Sequence, residues 1–177
     1  MMTSASVAEK LCLACGLCCD GALFRDVELQ PDDDAARLVA LGLPVERRKT
    51  QARFPQPCAA LCADQRCRVY SERPRHCRDF ECALFQSVAA GRTRLTAALR
   101  LVATARQRAE RVRRGLRVLG DADEPTALSV RFRRTAKRLE TVATDAASAD
   151  TFSRITLAFH RLNVLLSEKF YPGGRPE

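Results

Sequence analysis

Nine cysteines lie between Cys12 and Cys82, and they are the residues of this chain best suited to chemistry. The first four form the pattern C-x2-C-x2-C-C, which runs from Cys12 to Cys19. Two thiolates at C-x2-C spacing reach one metal centre from a tight turn, and Gly16 permits the backbone that such a turn needs. The run of a bacterial ferredoxin continues x3-C-P, whereas Cys19 follows Cys18 directly. This difference argues against a simple ferredoxin.

The other five cysteines lie on two predicted loops and a predicted helix start: Cys58, Cys62, Cys67, Cys77 and Cys82. The two histidines of the chain do not repeat at ligand spacing, so sulfur is the main donor available. Sets of thiolates select Zn²⁺, iron or an iron–sulfur cluster over hard cations. Arg66, Arg68 and Arg78 stand beside the thiols in the sequence, where they could offset thiolate charge and donate hydrogen bonds to sulfur.

The cysteine count and the distribution of apolar residues also predict the cellular compartment. An odd number of cysteines argues against a disulfide framework. The first residues, MMTSASVAEKLCLACG, lack the basic start and apolar stretch of an export signal. No apolar run of about 18 residues or more occurs, so we expect no membrane span. We therefore expect a cytoplasmic protein whose reduced thiols hold a metal.

The cysteine patterns together resemble the YkgJ-like cysteine-cluster family. The resemblance rests on C-x2-C-G-x-C-C and, after a gap, on P-C-x2-L and C-x-V-Y-x2-R-P-x2-C-R-x-F-x-C. That family carries a CxxCxxCC module described as zinc- or iron-chelating, and a related module occurs in flagellin lysine methylases. The resemblance implies eight metal-ligating thiolates: Cys12, Cys15, Cys18, Cys19, Cys58, Cys67, Cys77 and Cys82. Cys62 lies outside the pattern, and the resemblance gives it no role.

The number and kind of metal centres stay open at this point. Eight thiolates would satisfy two four-coordinate centres, or one cluster with ligands to spare. The vicinal pair Cys18 and Cys19 points in different directions in most backbones, which favours service to different centres. A cluster tolerates irregular ligand spacing, whereas two structural zincs usually show paired C-x2-C knuckles. We therefore favour an iron–sulfur cluster over zinc or iron ions, in either a redox or a structural role.

Charge and cysteine content both divide the chain near Gly91. Residues 1–90 hold every cysteine and balance 12 Lys/Arg with 12 Asp/Glu, whereas residues 91–119 hold nine Arg against one Glu. We predict two units: a Cys-rich zinc- or iron-chelating module of residues 1–90, and a basic helical module of residues 91–177 packed on it.

Hydrophobic spacing predicts a mainly α fold. Apolar residues recur at steps of three and four from Leu95 to Leu119, which predicts a long helix that Gly120 ends. Similar patterns at 128–142 and 152–170 predict two more helices. Because short connections join them, we expect an antiparallel helical hairpin or three-helix bundle after the irregular Cys-rich module.

Shorter elements are predicted before the bundle. Pro31 and the three aspartates after it suit the start of a short helix, which Gly42 ends. Residues 75–90 are predicted to form another helix. Basic and proline residues from Arg47 to Pro57 predict a loop.

These features predict a metal-binding protein with a redox, accessory or structural role, rather than a stand-alone enzyme. One alternative is a cluster-assisted modification enzyme similar to the flagellin methylases. Another is a metal protein whose Arg-rich helix, residues 92–117, binds an acidic partner or nucleic acid. Its phosphate contacts would come from Arg100, Arg106, Arg113 and Arg117. No nucleotide-binding, serine-hydrolase or zincin motif occurs.

Overall fold

The computed structural model of the chain describes residues 7–48, 51–141 and 145–172. This part contains seven α-helices, a short 3-10 turn at Tyr70–Glu72 and one three-stranded sheet. The mainly α fold class is therefore confirmed. The helices are α1 (Val7–Cys15), α2 (Ala35–Ala40), α3 (Arg75–Asp79), α4 (Ala83–Ala89), α5 (Leu95–Val118), α6 (Leu128–Thr141) and α7 (Ala146–Lys169). The strands are β1 (Asp26–Glu28), β2 (Glu46–Arg48) and β3 (Gln51–Pro55).

The long helices α5 and α7 pack side by side and run antiparallel. Arg108 donates a hydrogen bond to the carbonyl of Arg161 at 2.7 Å. Farther along α5, Gly115 meets Ile155, which comes earlier on α7. The predicted seam of α5 is buried along its length: Ala98, Val102, Ala105, Ala109, Val112 and Leu116. Its 3.6-residue periodicity therefore identified the contact face correctly.

Helix α6 packs on α5 through a face that includes the charged side chain of Arg131. Arg131 is 1% exposed, and its guanidinium donates to the Asp121 carboxylate at 2.9 Å. The predicted apolar Phe132 is only partly buried and stacks on Phe159 at 4.2 Å between ring centroids. Val142, the last apolar position predicted for this helix, lies outside the described residues.

The loop predicted from Arg47 to Pro57 is wrong, because most of this segment belongs to a sheet. Strand β3 pairs antiparallel with both β1 and β2, and Val27 lies opposite Phe54. Both of these side chains are buried in a small apolar core. The basic residues do not prevent a strand here, since Arg53 forms ion pairs with Asp26 at 3.3 Å and Glu28 at 3.1 Å on the neighbouring strand.

The other short elements are partly as predicted. Helix α2 follows the aspartates, and the Asp34 side chain caps it by accepting from the Arg37 N–H at 2.8 Å. The single helix predicted over residues 75–90 is instead two helices, α3 and α4. The chain is extended at Phe80 and Cys82, between α3 and α4.

Two apolar cores organise the described residues. The larger core joins the bundle to residues of the N-terminal half such as Leu11, Leu17 and Leu84. The smaller core lies beneath the sheet and includes Leu38 and Phe54. The domain boundary at residue 90 stays a prediction. In the described ranges, no helix is long and apolar enough to cross a membrane.

Replacing Gly115 with alanine should destabilise the protein, although alanine is the better helix former. A Cβ at this position would lie 2.0 Å from Cγ2 of Ile155, so α5 and α7 would have to move apart. At an exposed helix site the same change stabilises by about 1 kcal/mol. Here we expect a loss of about 1–3 kcal/mol in the free energy of unfolding, measured by urea denaturation.

Ile155→Ala provides the matched background, because it removes the colliding methyl group. Gly115→Ala should cost much less free energy in the Ile155→Ala protein than in the wild type. An equal cost in the two backgrounds would contradict the close contact of the helices.

Candidate metal centre

The first two cysteines lie on a helix rather than on the tight turn that the sequence predicts. Cys12 and Cys15 are three residues apart on α1, so their side chains share one face. The helix ends at Gly16, whose φ is +69°. A Cβ on Gly16 would lie 2.6 Å from Oε1 of Gln65. Glycine therefore lets the turn that carries Gln65 pack against the end of α1.

The vicinal pair Cys18 and Cys19 lies in the turn that follows α1. The N–H groups of Cys19 and Asp20 both donate to the Gly16 carbonyl at 2.9 Å. The Cys19 carbonyl in turn accepts a hydrogen bond from the N–H of Cys58 at 2.7 Å. This bond fastens the second group of cysteines to the first.

The remaining cysteines are positioned by short elements. A bridge pairs Leu61 with Cys67, and the exposed Cys62 lies on the turn between them. Cys77 lies on α3. Cys82 forms the N-cap of α4, where its sulfur accepts the N–H of Phe85 at 3.3 Å.

One cavity of about 110 Å³ brings these thiols together. Its lining contains all eight cysteines that the resemblance implies as ligands: Cys12, Cys15, Cys18, Cys19, Cys58, Cys67, Cys77 and Cys82. Cys62 is not part of the lining. Phe24, Phe80 and Leu84 contribute apolar wall. The cavity therefore separates the eight cysteines from the ninth, while their role as metal ligands stays a prediction.

The thiols share this cavity without meeting at a single point. No disulfide joins any of the nine cysteines, all of which the structure describes. Among the described residues, no three His, Cys, Asp or Glu side chains form a group that could hold a metal ion. A tetrahedral zinc with Zn–S bonds of about 2.3 Å needs sulfurs about 4 Å apart. The arrangement is thus wider than a site built around one ion.

Burial makes several of these thiols costly to ionise. Burial raises the pKa of Cys15 to about 12; repulsion from Cys82 and Cys12 adds to the shift, and the N–H of Leu17 opposes it. Burial also raises the pKa of Cys77 to about 12. A metal cation supplies the charge that stabilises a buried thiolate. The cavity is therefore suited to neutral thiols, or to thiolates that hold a cation.

Backbone N–H groups lie against several sulfurs. The N–H of Ala60 donates to the Cys58 sulfur at 3.4 Å, and the N–H of Phe85 donates to the Cys82 sulfur at 3.3 Å. These bonds lower the pKa of both thiols, although burial still raises it overall. Hydrogen bonds of this kind stabilise thiolates and tune the potential of thiolate-bound clusters.

The arginines predicted to offset thiolate charge differ in what they contact. The charge of Arg68 lowers the pKa of Cys58, against the larger effect of burial. Arg66 instead lies 3.7 Å from Asp64, and both side chains are well exposed. Arg78 donates to a backbone carbonyl at 2.7 Å. Of the three, only Arg68 has a described interaction with a thiol of the cavity.

Sequence reasoning missed Arg73. Arg73 lines the cavity and donates to the Cys77 carbonyl at 3.4 Å. Its guanidinium lies 3.6 Å from the centre of the Tyr70 ring. Burial dominates the raised pKa of Cys77, and the charge of Arg73 opposes it. Its position four residues before Cys77 in the sequence was the available signal.

Arg113 of α5 was predicted to contact phosphate, but it holds the cysteine turn. Its guanidinium lies 3.0 Å from the Asp20 carboxylate and donates to the Asp20 carbonyl at 2.9 Å. The two side chains are 17% and 13% exposed. Arg117 likewise pairs with Glu110 at 2.7 Å and with Glu124 at 3.0 Å. A partner surface on the Arg-rich helix stays a prediction.

Comparison with known families now bears on this site. Residues 11–100, which are 90 of the 177, match the family model CxxCxxCC, described as "Putative zinc- or iron-chelating domain". The chain belongs to this family. The CxxCxxCC match begins in α1, ends in α5 and includes every cysteine. It confirms the resemblance noted above and supports metal chelation in general, without naming the metal. No curated protein and no solved structure matches the chain.

Replacing Arg113 with leucine should destabilise the CxxCxxCC protein, because the mostly buried Asp20 carboxylate would lose its cation. We expect a loss of about 2–3 kcal/mol in the free energy of unfolding, measured by urea denaturation. Arg114→Leu is the matched control, since Arg114 is an exposed neighbour on α5. It should change stability by less than about 0.5 kcal/mol.

The double variant Asp20→Asn/Arg113→Leu removes the isolated charge as well. It should recover part of the stability that Arg113→Leu loses. If it recovers none, the ion pair is not the interaction that holds the turn to α5.

Proposed function

We propose that this CxxCxxCC protein chelates an iron–sulfur centre through cavity thiolates and acts as a redox or accessory protein. The supporting observation is a cavity lined by eight cysteines and not by the ninth. The proposed ligands are Cys12, Cys15, Cys18, Cys19, Cys58, Cys67, Cys77 and Cys82. Thiolate-bound zinc or iron ions are the alternative that the family description equally allows.

The donor set supports a soft metal. Among the described residues that line the cavity, none is an aspartate or glutamate. One histidine, His76, joins the lining, and its ring lies edge-on to Phe24 at 6.0 Å. Sulfur therefore dominates the available ligands. Such a set disfavours magnesium and calcium, which prefer oxygen.

Size and spacing support a polynuclear centre over a single ion. The cavity volume of about 110 Å³ is several times the roughly 10–15 Å³ that one water molecule needs. The thiols also lie outside the compact arrangement that one ion requires. In an iron–sulfur cluster, different thiolates bind different irons, so their sulfurs lie farther apart.

The chain's own residues would prepare this site. An iron–sulfur centre, once bound, supplies one-electron transfer or a structural cross-link. Phe24, Phe80 and Leu84 keep part of the wall apolar. The backbone N–H groups at Cys58 and Cys82 donate to sulfur, and Arg68 and Arg73 offset negative charge. These features favour a centre with thiolate ligands that is buried and electrostatically balanced.

The other functions that the sequence allows stay predictions. A modification enzyme would need a site for a methyl donor, and a nucleic-acid-binding protein would need cations facing outward from the Arg-rich helix. Arg113 and Arg117, two of its four predicted phosphate contacts, have carboxylate partners instead.

Anaerobic purification followed by elemental analysis and visible spectroscopy tests the proposal. We expect a brown protein with several irons per chain and broad absorbance near about 400 nm. Cys62→Ser should keep the metal content of the wild type, because Cys62 is exposed and outside the cavity. Cys15→Ser should lower the metal content, since Cys15 is a buried member of the lining.

A colourless protein that contains zinc would contradict the iron–sulfur assignment but keep metal chelation. Less than about half a metal equivalent per chain would contradict chelation itself. Equal metal loss from Cys62→Ser and Cys15→Ser would contradict the cavity as the site.

A further inference from the structure

Six of the eight cysteines that line the cavity divide between the two apolar cores. Cys15 is buried in the larger core, and Cys18 and Cys82 pack against it. Three others pack against the smaller core beneath the sheet: Cys58, Cys67 and Cys77. Among the described residues, the two groups of cysteines do not overlap, and Cys12 and Cys19 belong to neither core. The cavity is therefore continuous, but six of its thiols are supported by two separate bodies of side chains.

Helix packing brings one set of four thiols together. Helix α1 packs against α4, so Cys12 and Cys15 on α1 lie near Cys82 at the N-terminus of α4. Cys18 follows α1 directly. Cys18 and Cys82 pack against the core that contains Cys15, and all four cysteines line the cavity.

Loop pairing brings the other four together. The hydrogen bond from the Cys58 N–H to the Cys19 carbonyl places these two residues side by side. Cys58, Cys67 and Cys77 pack against the smaller core, and all four cysteines of this set line the cavity. Packing on one core and one backbone hydrogen bond therefore link the members of this set.

The two sets meet at the vicinal pair, because Cys18 and Cys19 are neighbours in the chain. Consecutive side chains in a turn diverge, so adjacent cysteines can face different cores. The peptide bond between Cys18 and Cys19 is therefore the natural boundary.

We propose that the eight thiols form two separate four-thiolate centres. This inference rests on the proposed function, in which the eight thiolates are metal ligands. The first thiol set is Cys12, Cys15, Cys18 and Cys82. The second thiol set is Cys19, Cys58, Cys67 and Cys77. Because three members of each set pack on a different core, we expect each centre to be loaded or lost without the other.

Metal analysis of paired serine variants tests the division. Cys12→Ser and Cys67→Ser should each keep about half of the wild-type metal. Combining two changes within the first set, Cys12→Ser and Cys15→Ser, should also keep about half. Combining Cys12→Ser with Cys67→Ser should leave almost none. Cys62→Ser is the control that keeps all of it, and far-UV circular dichroism checks that each variant is folded.

Native mass spectrometry of the wild-type protein gives a second measurement that needs no variant. Two separate cluster increments support two centres, and one indivisible increment overturns them. Complete metal loss from Cys12→Ser or Cys67→Ser alone would also overturn the division, in favour of one shared centre. A wild-type protein without metal would instead refute the proposed function from which the division starts.

Discussion

Close backbone packing around the turn of residues 16–21 is the constraint on which the arrangement of thiols depends. Gly21 has φ of +77°, and a Cβ there would lie 3.1 Å from Cδ of Pro57 and 3.2 Å from Cα of Ala127. Its carbonyl accepts the N–H of Leu128 at 3.0 Å. One short turn thus contacts the second cysteine loop on one side and the start of α6 on the other. Any side chain at residue 21 would push these segments apart, which explains why glycine occupies it.

Charge within the chain is used mostly to hold segments together. The sequence carries a net charge of +9, which first indicates a surface for anionic partners. The structure gives several of these cations internal partners: Arg131 is buried against Asp121, and Arg113 fastens Asp20. Arg68 and Arg73 act on cysteine thiols. A count of charges along a helix therefore overstates what remains for a partner.

The sequence predicted best where a pattern repeats many times or carries a specific chemistry. Helix α5 has 24 residues, so its apolar spacing recurs often enough to identify both the helix and its buried face. The separation of Cys62 from the other cysteines came from the family resemblance, and the cavity lining agrees with it. Strands of three to five residues offer too few alternations to be recognised. Helix α1 was hidden because cysteines three apart are typical both of a metal-binding turn and of one face of a helix.

The two cores differ in how much they depend on the thiols. The larger core contains the seam of α5 and long stretches of α7, so apolar burial alone can hold it. The smaller core has seven buried side chains beneath a sheet of short strands. Small cores of this kind commonly need a metal or disulfide to be stable. Cys58, Cys67 and Cys77 come from separate segments around that core, so a shared centre would cross-link them. We therefore expect metal binding and folding to be coupled most strongly in the smaller core beneath the sheet. This expectation does not depend on whether the centres transfer electrons.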